Sequence, residues 1–192
     1  MSISRFVEAL KNTPRTGWVQ RGIPASVAED IASHIFEVSI TCIDLGTRLA
    51  KEKIINERLV EKATVLALLH DLPESVTGDL NRYVGEFMGS AKKDLEKRAF
   101  EEIGIESIRE LYEKYSREDQ VNLLVKICDR VSTYSQAIRY KRIGYSVDDI
   151  ITSSLRDLAS LISDFCRSIQ ESGDKCVSLI NSYVKDLSNT RP

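Results

Sequence analysis

The chain contains two histidines, and both stand where a metal ligand would be useful. His34 lies in the stretch Ala32-Ser33-His34 of a predicted amphipathic helix. His70 ends an apolar helical run in Leu68-Leu69-His70-Asp71-Leu72-Pro73-Glu74. A surface histidine needs no explanation, but a His-Asp pair at the end of a buried helix, before a proline and a second acid, does. Imidazole nitrogen combined with carboxylate oxygen suits borderline and hard divalent ions. Two imidazoles and one carboxylate leave such an ion short of ligands, so another acid is expected. Asp129 qualifies because it interrupts the apolar stripe Val125-Lys126-Ile127-Cys128-Asp129-Arg130-Val131, where an acid is unfavourable unless paired or ligated. Each residue alone has a plainer explanation. Asp129 could pair with Lys126, three residues earlier, or with Arg130, and His34 could be a hydrogen-bonded core residue. Taken together, each supplies what the others lack.

The elements that must position these residues are almost all helices, since no stretch sustains the period-2 alternation of a strand. Ser2 or Ser4 can cap a first helix that carries Phe6, Val7 and Leu10 and stops before Pro14. The following stretch, 13–23, reads as a loop of unusual chemical content, with Trp18, Arg15 and Arg21; loops carry function more often than scaffolding does. A long helix is expected to open at Pro24 and run to about residue 53, with Ile31, Ile35, Val38 and Cys42 on its buried face. Asn56 is a good cap for the next, whose stripe of Leu59, Ala63, Leu66 and Ala67 leads to His70. Pro73 stops that helix, because the residue before a proline resists helical dihedrals. Further helices are expected over about 84–103, 107–115, 116–143, 147–171 and 174–187, with Gly104 and Gly144 as stops and a frayed tail from residue 188.

At 192 residues with 42% hydrophobic and 29% charged residues, the composition is that of one globular domain with a sizeable core. A net charge of −2 argues against a binder of duplex nucleic acid, which would show a basic stripe. Small anionic ligands stay possible, because a metal can supply the positive charge locally. No apolar run approaches a membrane span and the stretch Met1-Ser2-Ile3-Ser4-Arg5-Phe6 has no h-region, so a cytoplasmic, reducing location is expected. Cys42, Cys128, Cys166 and Cys176 are scattered without a CxxC pair, which argues against a zinc ribbon or redox motif, and each is expected as a free buried thiol.

His34, the His70-Asp71 doublet and Asp129, on three helices of an all-α chain, resemble the H…HD…D signature of the HD-domain metal-dependent phosphohydrolases. The stretch Pro14-Arg15-Thr16-Gly17-Trp18-Val19-Gln20-Arg21 and the block from His70 through Glu74 to Gly78-Asp79 resemble the branch that contains the 5′-deoxynucleotidases. There an Arg/Trp-bearing loop precedes the first histidine, and an HD-x-x-E-x-x-x-GD block follows. The resemblance covers residues 6 to 145 and implies a single HD-type helical bundle over 1–192, with 147–188 as a C-terminal extension. It implies His34, His70, Asp71 and Asp129 as ligands of one divalent ion. Manganese, cobalt or magnesium is favoured, with zinc, nickel or iron possible, and a second ion near Glu74 and Asp79 is possible. Glu74 and Asp79 are implied as the acids that position the water or move protons. Trp18 is implied to pack against the sugar and disfavour a 2′-hydroxyl, although a lone tryptophan beside glycine also reads as a hydrophobic plug.

Two departures from the branch stand out. Bacterial relatives place the phosphate-orienting arginine directly before the tryptophan, where this chain has Gly17, so Arg15 or Arg21 must serve. The segment from Ser26 to His34 is also longer than the usual S-V-x-[ED]-H. The activity implied is release of phosphate from (deoxy)nucleoside 5′-monophosphates by attack of a metal-bound water, in a homodimer that binds neither duplex nucleic acid nor membrane. The alternatives are another HD phosphohydrolase, acting on nucleoside triphosphates, cyclic nucleotides or ppGpp, and a non-catalytic metal- or nucleotide-binding module.

Overall fold

The computed structural model describes residues 2–169 and 173–189, all-helical among those residues apart from one isolated bridge between Pro14 and Asp30. The expected helix end at 171 and the tail residues 190–192 lie outside the described residues. The first helix, α1 (Ile3–Asn12), is capped by the Ser2 side chain. A short helix, α2 (Thr16–Val19), forms within the expected loop. The long helix α3 (Ile31–Lys51) packs along α4 (Glu57–Leu69), whose first turn is capped by Asn56 accepting from the Leu59 amide. After the HD doublet come α5 (Glu74–Thr77), α6 (Arg82–Met88), α7 (Ala91–Ile103) and α8 (Glu106–Ser116). The second long helix, α9 (Asp119–Arg142), crosses both α3 and α4, and α10 (Asp148–Arg167) and α11 (Gly173–Asn189) close the bundle.

The main core lies where α3, α4, α9, α10 and α11 meet, with Leu45, Leu66, Leu124, Ile127, Phe165 and Ile180 fully enclosed. α10 presents Leu158, Ile162 and Phe165 to this core, while Leu155 remains largely exposed. A second apolar cluster ties α1 to the start of α3 and to α7, through Phe6, Leu10, Ile31, Phe100 and Ile103. The third holds Trp18 and Ile23 against Ala137, Tyr140 and Val147. These three clusters fix the ends of the helices that carry the histidines and Asp129.

Three expectations are corrected. The long helix starts at Ile31 rather than Pro24: the intervening chain turns on the Pro24 carbonyl, and Asp30 caps α3 by accepting from the Ser33 amide at 2.8 Å. The helix expected over 84–103 breaks at Gly89, whose φ of 52° is a conformation open chiefly to glycine. Cys166 and Cys176 are joined by a disulfide between α10 and α11, leaving Cys42 and Cys128 as the free, buried thiols. A spacing of ten residues hid this pair, because neither position carries a recognised motif. No helix among the described residues is long and apolar enough to cross a membrane.

Candidate metal centre and active site

His34 sits one turn into α3, where the Asp30 cap fixes the start of the helix, and its side chain is completely buried. His70 lies at the C-cap of α4, so the chain turns there and sends Asp71 back toward the imidazole. Asp129 projects from the middle of α9. Ligand atoms of His34, His70 and Asp129 all lie within 4.8 Å of one another. Asp71 joins them, with Oδ2 at 3.1 Å from His70 Nε2 and 3.7 Å from His34 Nε2. Asp129 Oδ1 is 3.1 Å from His34 Nε2.

The two Nε2 atoms are buried and make no hydrogen bond. For His70 the reason is clear: Nδ1 donates to the Ala67 carbonyl at 2.7 Å, so the neutral ring leaves a lone pair on Nε2. For His34 the other nitrogen has a choice. Its Nδ1 faces Arg15 Nη1 at 3.0 Å and Ser132 Oγ at 3.3 Å. A cation on Nε2 requires the proton at Nδ1, which Ser132 can accept from and Arg15, a donor only, cannot. Two buried imidazole nitrogens without partners, facing two carboxylates, fit a divalent cation and are costly without one.

The electrostatics agree. Burial would favour neutral Asp71 and Asp129, but the two histidines hold Asp71 down at about 2. His34 and Arg130 keep Asp129 well below the usual carboxylate range against the same burial. Burial opposes charge on His70, but Asp71 and Asp129 outweigh it and raise the ring to about 9. Without a cation, Nε2 therefore carries a second proton toward Asp71, which a bound cation would displace. The carboxylates therefore stay charged and attract positive charge into the centre.

Glu74 opens α5, and its Oε2 is buried without a hydrogen-bond partner. Burial, with Asp71 and Asp79 beside it, pushes this carboxyl up to about 9. Asp79 is held differently. Its Oδ2 accepts from the Thr16 amide at 2.7 Å and also from the Thr16 hydroxyl, so it ties the start of α2 to the Gly78 turn. Gly78, at a φ of 75°, supplies the left-handed turn that points Asp79 there.

Trp18 is 2% exposed. Its ring meets Tyr140 edge-on at 5.1 Å, and its Nε1 donates to Glu29 Oε2 at 3.2 Å. Arg15 is mostly buried yet stays charged: burial opposes the charge, and Glu29, Asp129, Asp71 and Asp79 more than offset it. Arg21 lies farther out and donates to Asp149 Oδ2 from Nη2 at 2.7 Å and from Nε at 3.2 Å. Arg15, Trp18, Asp71, Glu74 and Asp129 line one cavity of about 730 Å³, whose wall also includes Arg21 and Asp79.

Sequence reasoning passed over several members of the site. Ser132 lies three residues after Asp129 on the buried face of α9, and a small hydroxyl in an apolar stripe was its signal. Glu29 was placed inside a helix, whereas it turns inward to hold both Arg15 and Trp18. Ile150, Ser153 and Ser154 of α10 form part of the cavity wall, and no local pattern announced that.

The HD domain profile matches residues 7–162. A 5′-deoxynucleotidase of Dictyostelium discoideum is 29% identical over 154 residues, covering 74% of this chain and 77% of that protein. A 5′-deoxynucleotidase of Schizosaccharomyces pombe is 30% identical over 157 residues, covering 74% of each. Among solved structures, a conserved hypothetical protein of Pyrococcus furiosus superposes with a TM-score of 0.75 at 26% identity, over 98% of this chain and 100% of that one. With this match over most of its length and a paired-histidine, paired-aspartate centre at the meeting of three helices, the chain belongs to the HD-domain family.

Proposed function

We propose that this protein is a metal-dependent phosphohydrolase that releases phosphate from (deoxy)nucleoside 5′-monophosphates. The observation that carries the proposal is the pair of orphaned Nε2 atoms facing Asp71 and Asp129 beside Glu74, in a cavity of about 730 Å³. The two relatives named 5′-deoxynucleotidase support the substrate class. His34, His70, Asp71 and Asp129 would hold the ion, with manganese, cobalt or magnesium favoured by the mixed imidazole and carboxylate donor set. When bound, such an ion acts as a Lewis acid on a phosphoryl oxygen and lowers the pKa of water toward neutrality.

The chain's own groups supply the rest. Glu74 reaches the cavity with a free carboxyl oxygen, where it can orient the attacking water or pass a proton. Asp79 keeps α2 in place through Thr16, which positions Arg15 and Trp18 at the wall. Trp18, clamped by Tyr140 and Glu29, presents a rigid edge there that would disfavour an added 2′-hydroxyl. Phe36, Ile40 and Ile43 leave an apolar stripe exposed on α3, which supports self-association as a homodimer.

The test is phosphate release from a panel of nucleoside mono- and triphosphates, cyclic nucleotides and ppGpp, with each candidate metal and after chelation. Turnover of monophosphates that disappears on chelation, with dAMP preferred to AMP, is expected. Exclusive turnover of another class, or none with any metal, would overturn the proposal. Glu74→Ala should retain metal and lose turnover roughly 10²- to 10⁴-fold.

A further inference from the structure

The carboxylates around the centre would repel a phosphate unless cations answer them, and the guanidinium groups of the cavity differ in what they have left to give. Arg15 directs one nitrogen, Nη1, at Glu29 (3.4 Å), Thr133 (3.4 Å) and His34 (3.0 Å). Arg21 gives two donors to Asp149 and a third to the Gly17 carbonyl. Lys92 is drawn toward Glu96 at 3.7 Å, and Arg156 stands exposed at the mouth. Arg130 is unlike all of them. It directly follows Asp129 on α9 and lines the same cavity. Its contacts are loose: Nη2 is 3.9 Å from Asp129 Oδ2, and Nε is 3.7 Å from Asp157 Oδ2. Both exceed hydrogen-bond distance. Its Nε is buried and, among the described residues, makes no hydrogen bond.

A buried donor left unsatisfied is unfavourable, and a planar fork is suited to two oxygens of one phosphate. We infer that Arg130 anchors the phosphate of the substrate, a place that the sequence assigned to Arg15 or Arg21. Asp129 and Asp157 hold the guanidinium over the cavity without consuming its donors. This assignment rests on the substrate being a phosphomonoester.

The experiment measures KM and kcat for dAMP, competitive inhibition by inorganic phosphate, metal stoichiometry and Tm in wild type, Arg130→Ala, Arg130→Lys and Asp157→Asn. Calorimetric binding of inorganic phosphate to the metal-loaded proteins is read separately, so that it does not depend on turnover. Removing one charge-assisted pair of hydrogen bonds should raise KM and the phosphate inhibition constant roughly ten- to hundredfold, with metal content unchanged. Arg130→Lys, which keeps the charge and loses the fork, should recover only part of that and serves if the alanine variant does not fold. Asp157→Asn should bind phosphate at least as well as wild type. Unchanged phosphate binding in both Arg130 variants would overturn the assignment. So would a matching loss of metal, or an equal defect in Asp157→Asn, because either would make Arg130 a latch between α9 and α10. If wild type hydrolyses no monophosphate but binds phosphate through Arg130, the proposed activity fails and the anion site stands.

Discussion

His34 offers its two nitrogens to different neighbours, and the balance between them governs the centre. Nδ1 is shared by Arg15, which can only donate, and Ser132, which can accept. Ser132 is fully buried, so its loss leaves no water to substitute. Ser132→Ala should therefore weaken divalent-ion affinity roughly 10- to 100-fold, read by competition with a chromophoric chelator. Unchanged affinity would show that the Nδ1 partner does not set the ring's donor state. At this scale the residues that gather at the centre were legible in the sequence, since a histidine and an acid on buried helical faces demand partners. The second partners were not. Nothing local connects Arg15 to His34 or Trp18 to Glu29, because each pairing depends on how the chain between Pro14 and Asp30 folds back.

At the scale of elements, the separation of the two histidines follows from how closely α3 and α4 approach. Gly46 makes that approach possible: a Cβ there would lie 2.9 Å from one Val60 methyl and 3.2 Å from the other. A β-branched neighbour has little rotamer freedom to retreat. Overpacking of this kind costs about 1–3 kcal/mol, more than the gain of about 1 kcal/mol from alanine's helix propensity. Gly46→Ala should lower Tm, and adding Val60→Ala should recover part of the loss in a double-mutant cycle. An unaltered Tm in the single variant would mean that the helices separate freely.

The link between α2 and the HD block is also an element-scale device. Asp79 accepts from both the Thr16 amide and hydroxyl, and Trp18 is the chain's one tryptophan. Asp79→Ala should loosen α2 and shift Trp18 fluorescence to longer wavelength; an unshifted spectrum would show that the third cluster alone holds the ring. The caps at Ser2 and Asn56 and the stop at Gly104 were readable from sequence because they act within a turn. The break at Gly89 and the late start of α3 were not, because the same helical spacing of apolar residues continues through each.

At the scale of the whole molecule, α10 and α11 do more than cover the core. α10 supplies a wall of the cavity, and the Cys166–Cys176 disulfide joins it to α11. Closing a loop of ten residues restricts the unfolded chain and should contribute roughly 2–3 kcal/mol. Replacing both cysteines by serine should lower Tm accordingly and leave metal stoichiometry at wild-type level. An equal Tm in the wild-type protein with and without reductant would show that the bond does not form in solution.

The sequence by itself determined the helical class and singled out His34, His70, Asp71 and Asp129, which the fold brings together, because helix periodicity, capping and the rarity of buried acids are local signals. Only the tertiary structure decided which nitrogen of His34 faces Arg15 and why Asp79 reaches Thr16, 63 residues away. It also decided that α10 encloses the site and that two of the four cysteines pair. Those outcomes join positions far apart in the chain. They follow from burying three apolar clusters at once, a condition that no single stretch of sequence expresses.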